Sequence, residues 1–201
     1  MLDLKRGKFK GIETKVGSLF SLLPLTPNQW TLSSFVFALI TLFFLIKNNL
    51  ILALFFFLVA GLLDFIDGAV ARFKKQATTQ GAYLDTIVDR YVEAMIFVGF
   101  LFLPLPDILF PCEVWIFLCF FGSLITTYSK AAAKEKELVS KEIKGGILSR
   151  GERIILISLS MLVGIFSLTG MAYLLIIFAI LSNLTAVQRI NFALKGDNLS
   201  S

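Results

Sequence analysis

Long, unbroken runs of Leu, Ile, Val and Phe limit this chain more than any other feature. They recur from Trp30 to Arg189 without the polar alternation of a half-buried strand. Hydrophobic residues make up 57% of the 201 residues and charged ones 16%, against roughly 45–50% and about 25% in an ordinary soluble domain. A soluble core of this size has no room for that much apolar surface, so a bilayer must take the excess. In lipid, every backbone N–H and C=O must find its partner inside the fold, which leaves helices or a closed barrel. Continuous runs favour helices, and the expected fold is all-α and integral to the membrane.

A spanning helix needs about 20 mainly apolar residues. The runs predict six transmembrane helices, near 30–46, 51–71, 84–103, 114–132, 154–168 and 171–189. Ahead of them, Leu4 to Leu22 mixes Lys5, Arg6, Lys8, Lys10 and Lys15 with Phe9, Ile12, Val16, Leu19 and Phe20 at helical spacing. This reads as an amphipathic juxtamembrane helix on the membrane surface, the alternative being a disordered basic arm. Pro24 and Pro27 separate it from the first span. The expected organisation is a cytoplasmic helix and linker over 1–29, a six-helix membrane domain over 30–195 and a short polar tail over 196–201. The polar, basic N-terminus argues against a cleavable signal peptide.

An even number of spans puts both termini on one side. That side collects the N-terminal lysines, Arg72, Lys74, Lys75, Lys134, Lys136, Lys141, Lys144, Arg150 and Lys195, whereas Lys47, Asp107 and Glu113 fall on the other. The excess of Lys and Arg places the termini and the two longer polar loops in the cytoplasm. The absence of histidine excludes His-containing zinc sites and His-based catalytic triads. Cys112 and Cys119 lie in apolar sequence and read as packing residues. No nucleic-acid partner is expected.

Charge inside the apolar runs is the exception that points to chemistry. Asp64 and Asp67 stand at i,i+3 in the second run, and Asp85 and Asp89 at i,i+4 in the third, so each pair shares a helix face. A carboxylate at the bilayer centre costs roughly 2.5–3.5 kcal/mol. The connection from 73 to 82 is short, so the two helices are expected as antiparallel neighbours whose four aspartates converge at the cytoplasmic end. Four converging carboxylates repel unless cations sit among them. Oxygen ligands suit Mg²⁺, Mn²⁺ or Ca²⁺, and Mg²⁺ commonly completes its shell with water and substrate phosphates. Gly68, Ala69, Ala71, Gly81 and Ala82 allow close helix approach, or close approach of a ligand to backbone. Arg72 either forks onto phosphate oxygens or snorkels to the interface.

The segment reads Asp64-x-x-Asp67-Gly68-x-x-Ala71-Arg72, eight further residues, then Gly81-x-x-x-Asp85-x-x-x-Asp89. It resembles the signature of the CDP-alcohol phosphotransferases at every signature position, and a fold of about six helices would cover nearly the whole chain. The resemblance implies that a hydroxyl attacks the β-phosphorus of a CDP-linked lipid and CMP leaves. It implies that Asp64, Asp67 and Asp85 bind metal, that Asp89 is a ligand or the general base, and that Gly68, Ala71, Arg72 and Gly81 shape the CDP-lipid pocket with the aspartates. It also implies two ions of Mg²⁺ or Mn²⁺, and a homodimer. The lipid could be CDP-archaeol or CDP-diacylglycerol, since both present the same head.

A second group of cations bears on the acceptor. Lys130 closes the fourth run, Arg150 and Arg153 open the fifth, and Arg189 closes the sixth. Such a cluster could hold a phosphate monoester. Snorkelling explains loop lysines, but it explains Arg153 and Arg189 less well because apolar sequence surrounds them. Tyr128-Ser129-Lys130, Arg150-x-x-Arg153 and Gln188-Arg189-Ile190 are similar to the branch that makes inositol-phosphate phospholipids. That branch implies inositol 1-phosphate as acceptor, with glycerol 3-phosphate as the alternative. A cation-coupled transporter is the rival class, since intramembrane acids also mark ion paths. The sequence has no internal repeat, and its acids cluster at one end rather than at mid-depth.

Overall fold

The computed structural model describes residues 10–139 and 145–195. Among the described residues there are seven α-helices and no sheet: α1 (Lys10–Phe20), α2 (Pro27–Ile46), α3 (Leu50–Phe73), α4 (Thr79–Phe100), α5 (Cys112–Glu135), α6 (Arg150–Phe166) and α7 (Leu168–Lys195). One helix answers each expected span, and α1 answers the C-terminal part of the expected juxtamembrane helix. Leu4, Lys5, Arg6, Lys8, Phe9, Lys141, Lys144 and the 196–201 tail lie outside the described residues.

Local chemistry sets the helix starts. Pro27 occupies the first turn of α2, where its missing N–H costs nothing. The Thr26 side chain accepts from the Gln29 backbone N–H at 3.3 Å, and the Gln29 side chain accepts from the Thr26 N–H at 2.8 Å, a reciprocal cap. Asn49 caps α3 through the Leu52 N–H at 3.1 Å, and Thr78 caps α4 through the Gly81 N–H at 3.0 Å.

Four helices, α2, α3, α5 and α7, are long and apolar enough to cross a membrane. The expectation of six spans is therefore met in part. Helix α4 has the length, but Asp85, Asp89, Arg90 and Glu93 interrupt its apolar sequence. Helix α6, with 17 residues, reaches about 25 Å at 1.5 Å per residue, short of a hydrocarbon core of about 30 Å.

The faces of α2 are reversed relative to a soluble helix. Thr31, Ser34, Ala38, Thr41 and Leu45 point inward, while Leu32, Val36, Leu39, Phe43 and Ile46 are exposed. Small and polar residues inside let helices approach, and the apolar outer face suits lipid. Two of the buried hydroxyls are satisfied within the helix. Ser34 donates to the Thr31 carbonyl at 2.7 Å and Thr41 to the Phe37 carbonyl at 2.9 Å.

The chain divides after Leu103 into two compact units. In the first, α2 packs against both α3 and α4, and α1 packs along α3. A short connection joins α3 and α4, and each packs most extensively against α2. In the second unit, α7 packs against α5 and α6. Cys119 donates its thiol to the Leu175 carbonyl at 3.1 Å, and Asn183 Nδ2 donates to the Leu118 carbonyl at 3.0 Å. Both cysteines are buried and unbridged, as packing residues should be.

Gly122 lies at a close approach of α5 and α7. A Cβ there would lie 2.5 Å from Ser182 Oγ and 2.9 Å from the Asn183 backbone nitrogen. Gly61 in α3 faces open space. Gly122→Val is expected to lower the thermal midpoint in detergent by an amount corresponding to about 1–3 kcal/mol of overpacking. Gly61→Val should shift it little, and equal shifts would remove the seam argument.

Candidate functional site

Three of the four aspartates converge. Asp64 and Asp67 on α3 and Asp85 on α4 each bring a carboxylate oxygen to within 4.8 Å of the other two. Asp67 is buried, while Asp64 and Asp85 are half-buried. Asp89, one turn beyond Asp85, is also half-buried but lies outside this close group. Helices α3 and α4 both pack on α2, which brings the ends that carry these carboxylates to one place. At that separation, two like charges repel by on the order of 3 kcal/mol at an effective dielectric near 20. A divalent cation offsets this repulsion, and an all-oxygen set of three carboxylates fits a hard ion.

Helix α2 contributes a residue that the sequence reading missed. Thr31 Oγ1 donates to Asp67 Oδ2 at 2.6 Å, with both residues buried. A second contact, to the Pro27 carbonyl at 3.2 Å, is longer. An ionised carboxylate only accepts, so the hydroxyl proton belongs on the Asp67 side. The bond helps to fix the orientation of the Asp67 carboxylate. Groups behind a ligating carboxylate orient it in this way. A threonine four residues after a helix-starting proline was the available signal, but nothing in the sequence pairs it with Asp67.

The small residues have distinct surroundings. A Cβ on Gly68 would lie 3.1 Å from Arg72 Nη2 and 3.3 Å from Nη1, so the space that glycine opens is taken by the arginine. Asp64, Gly68 and Arg72 follow one helix face at successive turns. A Cβ on Gly81 would lie 3.1 Å from Thr78 Oγ1 and 3.3 Å from Asn28 Oδ1. The first turn of α4 therefore meets the first turn of α2 there. Ala71 is half-buried on α3. On α4, Arg90 and Glu93 form an ion pair one to two turns beyond Asp85.

In the second unit, Arg153 and Arg189 are brought together on α5. Arg153 Nη1 donates to the Ser123 carbonyl at 2.9 Å and Arg189 Nη1 to the Thr126 carbonyl at 2.9 Å, three residues apart on one face. Both arginines are buried. Arg189 Nε also donates to the Gly145 carbonyl at 3.1 Å. Gly145 and Gly146 have φ of 137° and 99°, a region open to glycine and unfavourable for other residues. At Gly146 a Cβ would lie 2.7 Å from Thr185 Cγ2. The two glycines thus let the chain turn closely around Arg189. The next residues are tied to α7 by the Ile147 N–H to Gln188 Oε1 at 3.2 Å and the Leu148 N–H to Thr185 Oγ1 at 3.0 Å. Lys130 and Arg150 are half-buried, one turn from Thr126 and Arg153 on the same helix faces.

Comparison with known proteins places the chain in a family. The profile of the family described as CDP-alcohol phosphatidyltransferase matches residues 24–190. This chain belongs to that family and is a transferase. It is 34% identical over 198 residues to the archaetidylinositol phosphate synthase of Pyrococcus horikoshii, covering 97% of each chain. It is 28% identical to the enzyme of the same name from Aeropyrum pernix, covering 89% of this chain and 88% of that one. Among solved structures, it is similar to the Mycobacterium tuberculosis phosphatidylinositol phosphate synthase with CDP-DAG bound, at a TM-score of 0.78 and 24% identity, over 93% of this chain and 96% of that one. The same enzyme in complex with manganese and citrate matches at a TM-score of 0.80 and 24% identity, over 92% and 90%. At that identity the structural likeness carries the fold.

Thr31→Val removes the hydroxyl donor from a buried carboxylate at nearly constant volume. It is expected to reduce turnover by about 10–100-fold, with Thr31→Ser retaining most of the activity. Measurement of CMP release by the two variants checks this; equal activity in both would show the hydroxyl to be dispensable.

Proposed function

We propose that this transferase moves the phosphatidyl-type group of a CDP-linked lipid, CDP-archaeol or CDP-diacylglycerol, onto a hydroxyl of inositol 1-phosphate and releases CMP. The observation that carries the reading is the Asp64–Asp67–Asp85 group, with its oxygens within 4.8 Å. The acceptor is supported by the buried Arg153 and Arg189 and by similarity along the whole chain to proteins named archaetidylinositol phosphate synthase.

Asp64, Asp67 and Asp85 would hold Mg²⁺ or Mn²⁺, two ions, which when bound neutralise the diphosphate and the departing CMP. The remaining steps belong to the chain's own groups. Asp89, outside the close group, takes the proton of the acceptor hydroxyl; a carboxylate less engaged with cations keeps a lone pair for that task. The hydroxyl oxygen bonds to the β-phosphorus, the bond from that phosphorus to the CMP oxygen breaks, and its electron pair leaves with CMP. Arg72 binds the diphosphate, Gly68 makes room for Arg72, and Ala71 and Gly81 bound the nucleotide. Lys130, Arg150, Arg153 and Arg189 hold the acceptor phosphate. A guanidinium has five N–H donors, so contacts with α5 carbonyls are compatible with that role.

In this reading α4 and α6 cross the bilayer with the four longer apolar helices, making six spans. The loop lysines put the aspartates and both termini on the cytoplasmic side, and the enzyme acts as a homodimer, as the family resemblance implies.

Asp67→Asn and Asp85→Asn are expected to abolish CMP release and weaken Mn²⁺ binding measured by calorimetry. Full activity in either variant would break the ligand assignment. An acceptor screen in detergent should show inositol 1-phosphate used in preference to glycerol 3-phosphate, serine and free inositol. Preference for glycerol 3-phosphate would transfer the acceptor assignment to that compound. Arg153→Ala and Arg189→Ala should raise KM for the phosphorylated acceptor more than KM for the CDP-lipid; equal effects would remove the acceptor-site assignment.

A further inference from the structure

Helix α1 reaches the site through one charged contact. Glu13 Oε2 accepts from Arg72 Nε at 3.3 Å, with the glutamate side chain 17% exposed and the arginine side chain 46% exposed. The position of α1 is set by packing rather than by this pair. Gly17 lies against α3 so closely that a Cβ would sit 2.7 Å from the Ala69 carbonyl oxygen and 2.8 Å from Phe73 Cβ. Val16 and Phe20 pack with Leu25 and Leu63 against the buried cluster of Trp30, Ile66 and Val70. The rings of Phe20 and Trp30 meet edge to face at 5.8 Å. Glu13 precedes Gly17 by one helical turn, so the backbone contact at Gly17 delivers it beside Arg72. The other face of α1 and the segment after it expose Ile12, Leu19, Leu22 and Leu23.

The consequence for Arg72 is directional. With Nε engaged by Glu13, the two terminal nitrogens lie over Gly68, one turn from Asp64 along the same face. An arginine alone on a helix end samples many rotamers and loses that freedom when fixed. A carboxylate on Nε fixes the plane of the guanidinium and leaves its outer edge to form paired bonds with phosphate oxygens.

The geometry points to Glu13 as a positioning residue for the CDP-lipid: the juxtamembrane helix, docked at Gly17, holds the Arg72 fork aimed along α3 at the diphosphate. Helix α1 is then part of the nucleotide site as well as a surface helix. This inference rests on the assignment of Arg72 to the CDP-lipid made above.

The test is a double-mutant cycle on the full-length enzyme in detergent with CDP-diacylglycerol as the lipid substrate. Glu13→Gln keeps the size of the side chain and removes its charge. Because the pair is half-exposed, its loss should raise KM for CDP-diacylglycerol about two- to fivefold. KM for the acceptor and the thermal midpoint should stay unchanged, which a merely structural role would not predict. Arg72→Ala should raise the same KM further, and Glu13→Gln with Arg72→Ala should be no worse than Arg72→Ala alone. A raised KM in Arg72→Ala with no change in Glu13→Gln, or losses that multiply in the double variant, would overturn the positioning role and leave the Arg72 assignment intact. An unchanged KM in Arg72→Ala would overturn both.

Discussion

Three carboxylates held within 4.8 Å of one another, at the ends of apolar helices, make the demand that the rest of the first unit answers. Such a group repels itself in any medium of low polarity. Surrounding groups orient the oxygens, and either protonation or a bound cation relieves the repulsion. Helix α2 packs against both carboxylate-bearing helices and supplies the Thr31 hydroxyl to Asp67. Its first turn meets the first turn of α4 at Gly81. The placement of α2, more than the short connection between α3 and α4, defines the geometry of the group.

The same economy of polar groups runs through the second unit. Arg153 and Arg189 are buried cations on apolar helices, and each spends part of its guanidinium on α5 carbonyls. Those bonds hold the arginines side by side and join α6 and α7 to α5. The positive-φ glycines at 145 and 146 let the chain close around Arg189 without side-chain obstruction. Where the polar groups inside face one another, the apolar residues are turned outward. Burial of polarity and exposure of hydrocarbon is the arrangement expected of a chain whose solvent is lipid.

Much of this was legible from residue order. The helices fall where the apolar runs and their capping residues put them, because both are local properties. The spacing of Asp64, Asp67, Asp85 and Asp89 declares which faces carry charge, because helical periodicity fixes the angle between neighbours. Four charged residues in α4 make it a poorer span by composition than its length suggests, a difference visible in the sequence yet outweighed there by the run of apolar residues that follows. Less legible was the separation of Asp89 from the other three. Spacing puts it on the same face as Asp85, but the direction of approach of α3 decides which turn of α4 faces Asp64 and Asp67.

By itself the sequence determined the fold class, the order of the helices and the helix faces that carry the aspartates, since each depends on residues within a few turns of one another. Tertiary structure alone decided the partners: Thr31 with Asp67 across 36 positions, Glu13 with Arg72, and the two buried arginines with neighbouring carbonyls of α5. Periodicity says which way a side chain points from its own axis. It carries no information on the angle and offset at which a second helix arrives, and hydrogen bonds between helices are set by those two quantities.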